Sequence, residues 1–391
     1  MNFDALKDEQ NSLQDELGNS QRVAALRDQG VVISSPQRVF IGPEVTLPFI
    51  EAGVCLMNAI VRGQTTSVGR GSMIGAYGIA SLANVQVGRE VQLDAGSFTD
   101  CALLDGTKVR GAAEIRRGTV LEEGVEVGHA VGLKNSFFAA SVVAGSLINF
   151  CDVYVTGGTS RMDHTEIGSG AIHFNFSPKR DKFASLFGDA SGLLERSQPV
   201  FIGGNAGIVA PQVIAFGSIV PAGTTLRDER NPATEFTGFV RKCFRTIQFI
   251  STLHTTLAWY RHLRLPFADP CEARLYAGAI VQLQTHLEWR IAELQRYVAR
   301  ITAAAALETI RDYGANIVEI AQFDPVVAPI SDRLLAEVKQ HRRTCSFPQT
   351  IAALTPATVA DAEAWIADVD SQLPQRAMHA AGTHLGVHLQ T

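Results

Sequence analysis

Imidazole is the side chain whose ordinary pKa suits proton transfer near neutral pH, and ten histidines occur in this chain of 391 residues. Two of them, His164 and His173, lie in a stretch rich in Gly, Val and Thr. His173 stands two residues before Asn175, so in a strand both side chains leave on the same side. Either histidine could act as a general base. The competing reading for each is a histidine hydrogen-bonded for structure alone. The tail histidines His379, His384 and His388 are too loosely spaced to argue for a metal, and no metal is expected. Six scattered cysteines with no CxxC pair point to reduced thiols in a cytoplasm, not to a disulfide frame or zinc knuckle. Gly157-Gly158 and Gly203-Gly204 are weak as phosphate cradles and suit tight corners, where φ is positive.

The element that must carry these residues shows in a repeat. Val109, Ile115, Leu121, Val127 and Leu133 recur at every sixth place, as do Ile202, Ile208, Ile214, Val220 and Leu226. A strand has period two and a helix about 3.6, so neither explains the spacing. A chain that turns a corner at every hexad does. Each flat face then drops one aliphatic side chain inward. In the eight complete hexads, the place four after the ladder residue holds Ala113, Thr119, Val125, Val131, Ala206, Gln212, Ser218 and Thr224, nearly all small or β-branched. Weaker copies lie upstream at Ile41 and Leu47, Val68, Ile74, Val87 and Leu93. The expected fold is an all-β solenoid. From Ser146 to His164 is three hexads, one full three-sided coil, so in a regular coil the ring stacks over Ser146.

Residues 1–30 read as a polar helix with a rough stripe of Ala5, Leu6, Leu13, Leu17, Val23 and Leu26. Residues 31–230 form the solenoid. From Asn231-Pro232 the character changes, and residues 231–391 read as an all-α domain. Its helices are expected over Cys243–Leu265, Glu272 to about Leu307, Leu334–His341 and Val359–Val369. Phe244, Ile247, Ile250, Leu253 and Leu257 make a core stripe, and Leu283, Leu287, Trp289 and Ile291 a bundle seam or a second trimer contact. A solenoid exposes open strand edges at its ends, and the flanking helices are natural caps. The segment from Ser177 to Gln198 reads as an irregular loop projecting towards a neighbouring subunit. A net charge of −5 advertises neither nucleic acid nor an anionic membrane, and no apolar run reaches the ~18 residues of a membrane span. The N-terminus, Met1-Asn2-Phe3-Asp4, is not a signal peptide.

Three stretches carry a family likeness: Ile115-Arg116-Arg117-Gly118 through Val127-Gly128-His129 to Leu133-Lys134-Asn135; Ala144-Gly145-Ser146-Leu147 with Ile167-Gly168-Ser169-Gly170-Ala171-Ile172-His173-Phe174-Asn175-Phe176; and Val200 through Val209-Ala210-Pro211 to Pro221-Ala222-Gly223-Thr224-Thr225. Over about residues 112–228 the chain resembles the hexapeptide-repeat acyltransferases, in particular the acetyltransferase half of the bacterial glucosamine-1-phosphate acetyltransferase / N-acetylglucosamine-1-phosphate uridyltransferases. The resemblance implies a left-handed parallel β-helix and a cytoplasmic homotrimer with active sites between neighbouring prisms. It implies acetyl-CoA as donor near Gly204 and Ala222, and a sugar phosphate or nucleotide sugar as acceptor. Arg116 and Lys134 match the family's sugar-phosphate contacts, and Asn175 matches an active-site asparagine. Lys179 or Lys182 fills the place of a lysine in the next loop. Two departures stand out. Ser146 and Asn149 occupy the places of the family's catalytic histidine and tyrosine, so the base would be relocated to His164 or His173; His129, replacing an asparagine, is a weaker candidate. Phe176 replaces a further tyrosine. The short stretch before the first ladder strand has no room for a nucleotide-binding domain, so uridyltransferase activity is not expected. The alternative is a sugar-nucleotide-binding or structural solenoid that has lost its base.

Overall fold

A computed structural model describes residues 17–194, 198–227, 235–305 and 308–385. The boundary at Asn231-Pro232, the stripe residues Ala5, Leu6 and Leu13, and the tail histidine His388 lie outside the described residues. The first part is a parallel β-solenoid of about ten coils. One face is a ten-stranded sheet running from Val32–Ile33 through Lys108–Val109, Glu126–Val127, Val143–Ala144, Glu166–Ile167 and Phe201–Ile202 to Ile219–Val220, each strand parallel to the next. The other two faces are joined around one corner by the long strands Gly132–Phe138 and Asn149–Val155.

The hexad ladder is the reason for the three walls. Val109 pairs with Val127, Ile115 with Leu133, Ile202 with Val220 and Ile208 with Leu226, each one coil of three hexads on. These side chains stack along the axis and are buried, with Leu226 partly so at the far end. The upstream copies Ile41, Val68, Ile74, Val87 and Leu93 are buried in the same column. Corners need left-handed backbone. Gly118 has φ +73°, and a Cβ there would sit 2.4 Å from Asn135 Oδ1 of the coil above. In the next two coils the same corner is held by Asn135 and Asp152, at φ 45° and 63°, residue types that tolerate this conformation.

Helix α1 (17–28) closes the open end. Val23 and Leu26 enter the solenoid core. Asn19 donates to the Val39 carbonyl at 3.0 Å and accepts from the Ile41 amide at 2.8 Å, which satisfies edge groups a further strand would pair.

The helical part comprises α2 (Glu235–Trp259), α3 (Pro270–Ala303), α4 (Glu308–Ala321), α5 (Asp332–His341), α6 (Phe347–Ala352) and α7 (Pro356–Leu385). Helix α2 runs on through Tyr260–Arg264 and a last turn, Leu265–Phe267, that contains Pro266. Asp269 caps α3 in a capping box with Glu272, and Pro270 occupies its first turn. The stripe Phe244, Ile247, Ile250, Leu253 and Leu257 is buried as expected. Among the described residues, the helical domain does not cap the column's end. It lies along one flat face, because that face is apolar on its outside as well. Ala102, Val120, Phe137, Tyr154 and Leu186 pair in register coil after coil and point outward into the helical core. Phe137 and Tyr154 stack at 4.6 Å. Helix α3 comes so close that a Cβ at Gly278 would meet Gln86 Oε1 at 2.1 Å.

A buried ion cluster fastens the two parts. Arg264 Nη2 lies 2.9 Å from Glu122 and its Nη1 2.6 Å from Glu123, and the Tyr260 hydroxyl donates to Glu122 at 2.7 Å. Tyr260 and Arg264, at the end of α2, are therefore packing contacts. The expected projecting loop folds back onto its own chain: Ser185–Phe187 joins the third face, and Ala190–Leu194 packs against α2 and α7.

Candidate functional site

The lysine and arginine positions converge where α3 crosses the corner after Arg116. Arg116 and Lys134 follow one another on the second face, one coil apart. Arg116 Nη2 lies 3.8 Å from Cys151 Sγ, and its Nε 3.9 Å from Glu114. The indole of Trp289, from α3, stands beside Lys134 and among three further cations. Lys134 Nζ is 4.9 Å and Lys182 Nζ 5.0 Å from the ring centroid, with the guanidinium carbons of Arg296 and Arg117 at 5.4 and 6.0 Å. Each cation faces π density at cation–π range. Burial, with Lys182, Arg117 and Arg116 close by, depresses the Lys134 pKa. Among the described residues, no carboxylate pairs with Lys134, Lys182 or Arg117; Arg296 pairs with Glu293 at 2.5 Å.

Helix α3 also places the loop that carries Lys182. Arg290, fully buried, donates to the Lys182 carbonyl at 3.2 Å and reaches Asp152 at 3.4 Å. Arg300 binds Asp181 through two nitrogens, at 3.1 and 2.6 Å. Asn175 donates to Asp152 Oδ2 at 2.7 Å, and Asn135 to Oδ1 at 3.2 Å. Burial alone would push Asp152 up, but Arg290, His286 and these two amides outweigh it and hold the carboxyl below its ordinary range. Asn175 thus anchors the loop to the corner. Lys179 sits exposed at the loop tip, apart from the indole cluster.

The histidines fall in three different places. His173 points into the prism. Its Nδ1 lies 2.7 Å from the Cys151 carbonyl and must donate, which leaves Nε2 to accept from the Ser185 hydroxyl at 2.8 Å. Burial lowers its pKa to about 4. His164 does not stack over Ser146, because the coil between them is longer than three hexads: Ala144 pairs with Ile167, beyond the place a regular coil would bring it. It lies at the opposite edge of the ten-stranded sheet, beside Arg161 at 3.0 Å and Glu166 at 3.5 Å.

Ser146 instead meets His129, one coil earlier. Ser146 Oγ is 2.7 Å from His129 Nδ1 and accepts from the His129 backbone amide at 3.3 Å. The hydroxyl is then free to donate to Nδ1, leaving the imidazole proton on Nε2. This corner continues as a column. Ser169 Oγ accepts from the Ser146 amide at 3.0 Å, the Asn205 amide bonds the Ser169 carbonyl, and the Gly223 amide bonds that of Gly204. A Cβ on Gly203 would lie 2.3 Å from the Ala222 nitrogen. Ser146, Gly204 and Ala222 therefore share one outer corner with His129, and the face leading away from it carries Lys134.

Sequence reasoning missed Arg117, Trp289 and Arg296. Trp289 is not part of the seam that buries Leu283 and Leu287. The missed signal is the heptad spacing of Gln282, Trp289 and Arg296, which puts them on one face of α3. Gln282 meets the same corner, accepting from the Gly118 amide at 2.9 Å.

No family model matches the chain. Curated proteins do match. Identity is 30% over 202 residues with the bifunctional protein GlmU of Staphylococcus haemolyticus, covering 51% of this chain and 40% of that protein. It is 29% over 201 residues with GlmU of Streptococcus agalactiae (51% and 39%) and 27% over 208 residues with GlmU of Carboxydothermus hydrogenoformans (53% and 42%). The chain resembles GlmU over about half its length. It spans about two fifths of these GlmU relatives. The solenoid is consistent with the hexapeptide-repeat half of GlmU. Among the described residues, no helix is long and apolar enough to cross a membrane.

Proposed function

We propose that this chain is an acyltransferase that moves an acetyl group from acetyl-CoA to the amine of an amino-sugar phosphate or nucleotide sugar. Arg116, Lys134 and Lys182 hold the phosphate; charge-assisted bonds to phosphate are the strong ones. The donor lies along the corner of Gly204 and Ala222. By resemblance, the assembly is a cytoplasmic homotrimer whose neighbouring prism walls the groove. The amine nitrogen attacks the thioester carbonyl, a C–N bond forms, and the C–S bond breaks. The nitrogen's proton passes to Ser146 Oγ as the hydroxyl hands its own to His129 Nδ1. The imidazolium then returns a proton to the departing thiolate. Ser146 alone is no general base; with the imidazole as final proton acceptor the pair can take the proton.

One observation carries the reading: the 2.7 Å contact between Ser146 and His129 on the corner shared with Gly204 and Ala222. The test is thiol release from acetyl-CoA in the presence of glucosamine 1-phosphate. Turnover is expected, with His129→Ala and Ser146→Ala each lowering kcat by about 10²-fold or more and leaving KM for the sugar nearly unchanged. Phosphate-dependent sugar binding without thiol release for any amino sugar would instead support the lapsed, sugar-nucleotide-binding solenoid.

A further inference from the structure

We infer that α3 completes the phosphate site within a single chain, and that Trp289, Arg296 and Arg117 determine its preference for phosphorylated ligands. The inference rests on the proposed function for the identity of the site's ligand, but not on acyl transfer.

Five cations (Arg116, Arg117, Lys134, Lys182 and Arg296) gather at one corner, and two carboxylates, Glu114 and Glu293, approach two of them. The excess is three positive charges. A phosphomonoester carries about −1.5 to −2 at neutral pH and offers several strong acceptor oxygens. Burial first, and then the neighbouring cations Lys182, Arg117 and Arg116, depress Lys134. Trp289 explains how the crowd persists without ligand: four of the cations, Arg117, Lys134, Lys182 and Arg296, gain from the ring's electron-rich face. Arg290 and Arg300 hold Lys182 in reach from the same helix. These helix groups belong to the same polypeptide as Arg116 and Lys134, so no second subunit is required to surround the anion.

Trp289 reports on its own site. Trp259 and Trp365 are buried in the helical core, while Trp289 remains partly exposed. Glucosamine 1-phosphate, titrated without acyl donor, is expected to change the tryptophan fluorescence of the full chain, and unphosphorylated glucosamine to leave it unchanged. The response should vanish in Trp289→Phe, which keeps an aromatic face and most of the binding by calorimetry. Arg296→Ala and Arg117→Ala should each weaken binding about tenfold, the worth of one charge-assisted bond. Trp289→Ala should weaken it similarly although no charge is removed. Mixing Lys134→Ala with Trp289→Ala protein tests the single-chain claim: no recovery of binding supports it, and recovery in mixed oligomers overturns it. Equal binding of sugar and sugar phosphate, or indifference to both arginine changes, also overturns it. Phosphate-specific binding without thiol release leaves this inference standing and removes the transferase.

Discussion

His173 shows how one side chain can look catalytic in a string of letters and be structural in space. It stands one hexad after Ile167 and pairs with Ile208, so the rule that turns the aliphatic ladder inward turns this imidazole inward too. That much is legible in the sequence, but the neighbouring Asn175 draws attention to the wrong side of the strand. The interior accepts an imidazole because both nitrogens find partners and Phe150 packs at its edge, 6.1 Å between centroids. Removing the ring takes away the Cys151 carbonyl's imidazole donor and the Ser185 hydroxyl's acceptor, while the Gln212 amide still bonds Ser185 Oγ at 2.9 Å. His173→Ala should therefore cost about 2–4 kcal/mol by denaturant unfolding. Its pH signature has a definite sign. Burial lowers His173 and His254 to about 4 and His286 to about 3, while the unfolded chain titrates near 6.5. Their neutral forms stabilise the fold fully above pH 6.5, and that stability is lost as pH falls through about 4. Unfolding should take up as many as three protons in this window, measurable as the slope of unfolding free energy against pH. His129 is only a weak candidate in the sequence because its partner lies a coil away. A strict count by hexads reproduces neither the short coil that joins His129 to Ser146 nor the long one that joins Ala144 to Ile167.

At the scale of elements, the sequence shows the inner lining of the prism and not its outer one. Segments such as Cys101–Leu103, Thr119–Leu121 and Val153–Val155 are apolar on alternate sides as well, the mark of a strand buried on both faces. Read that way, the helices have to lie on this wall. The tie at Arg264 then becomes the fastening of one element to the other. Deleting that guanidinium strands Glu122 and Glu123 beside Tyr260 in a dry interface. Arg264→Ala should cost about 3–5 kcal/mol, seen as a lowered Tm or a separate early transition of the helices. Asp370, on α7, offers a counterpart with the opposite pH sense. Burial, reinforced by Asp189, raises its pKa to about 7. Its neutral form favours folding fully below the unfolded value near 3.9, and that contribution is lost as pH climbs through 7. Asp370→Asn should raise Tm at pH 8 and bring a smaller gain at pH 5.

For the whole molecule, the outer face of the solenoid and the helices share one hydrophobic core. A chain ended after Leu226 would expose the column Ala102, Val120, Phe137, Tyr154 and Leu186 as a contiguous apolar stripe. It should aggregate or bind a hydrophobic dye, whereas the full chain should do neither. The ten-stranded wall carries one more lesson. Val127 meets Ala144, Ala144 meets Ile167, and Ile167 meets Ile202, each step spanning a longer stretch of chain than the one before, yet the rungs remain level. The scaffold is indifferent to how far the chain wanders between rungs. An exposed tip such as that around Lys179 can be lengthened, trimmed or grafted without disturbing the masonry beneath, so new specificities can arise on this column by editing its balconies alone.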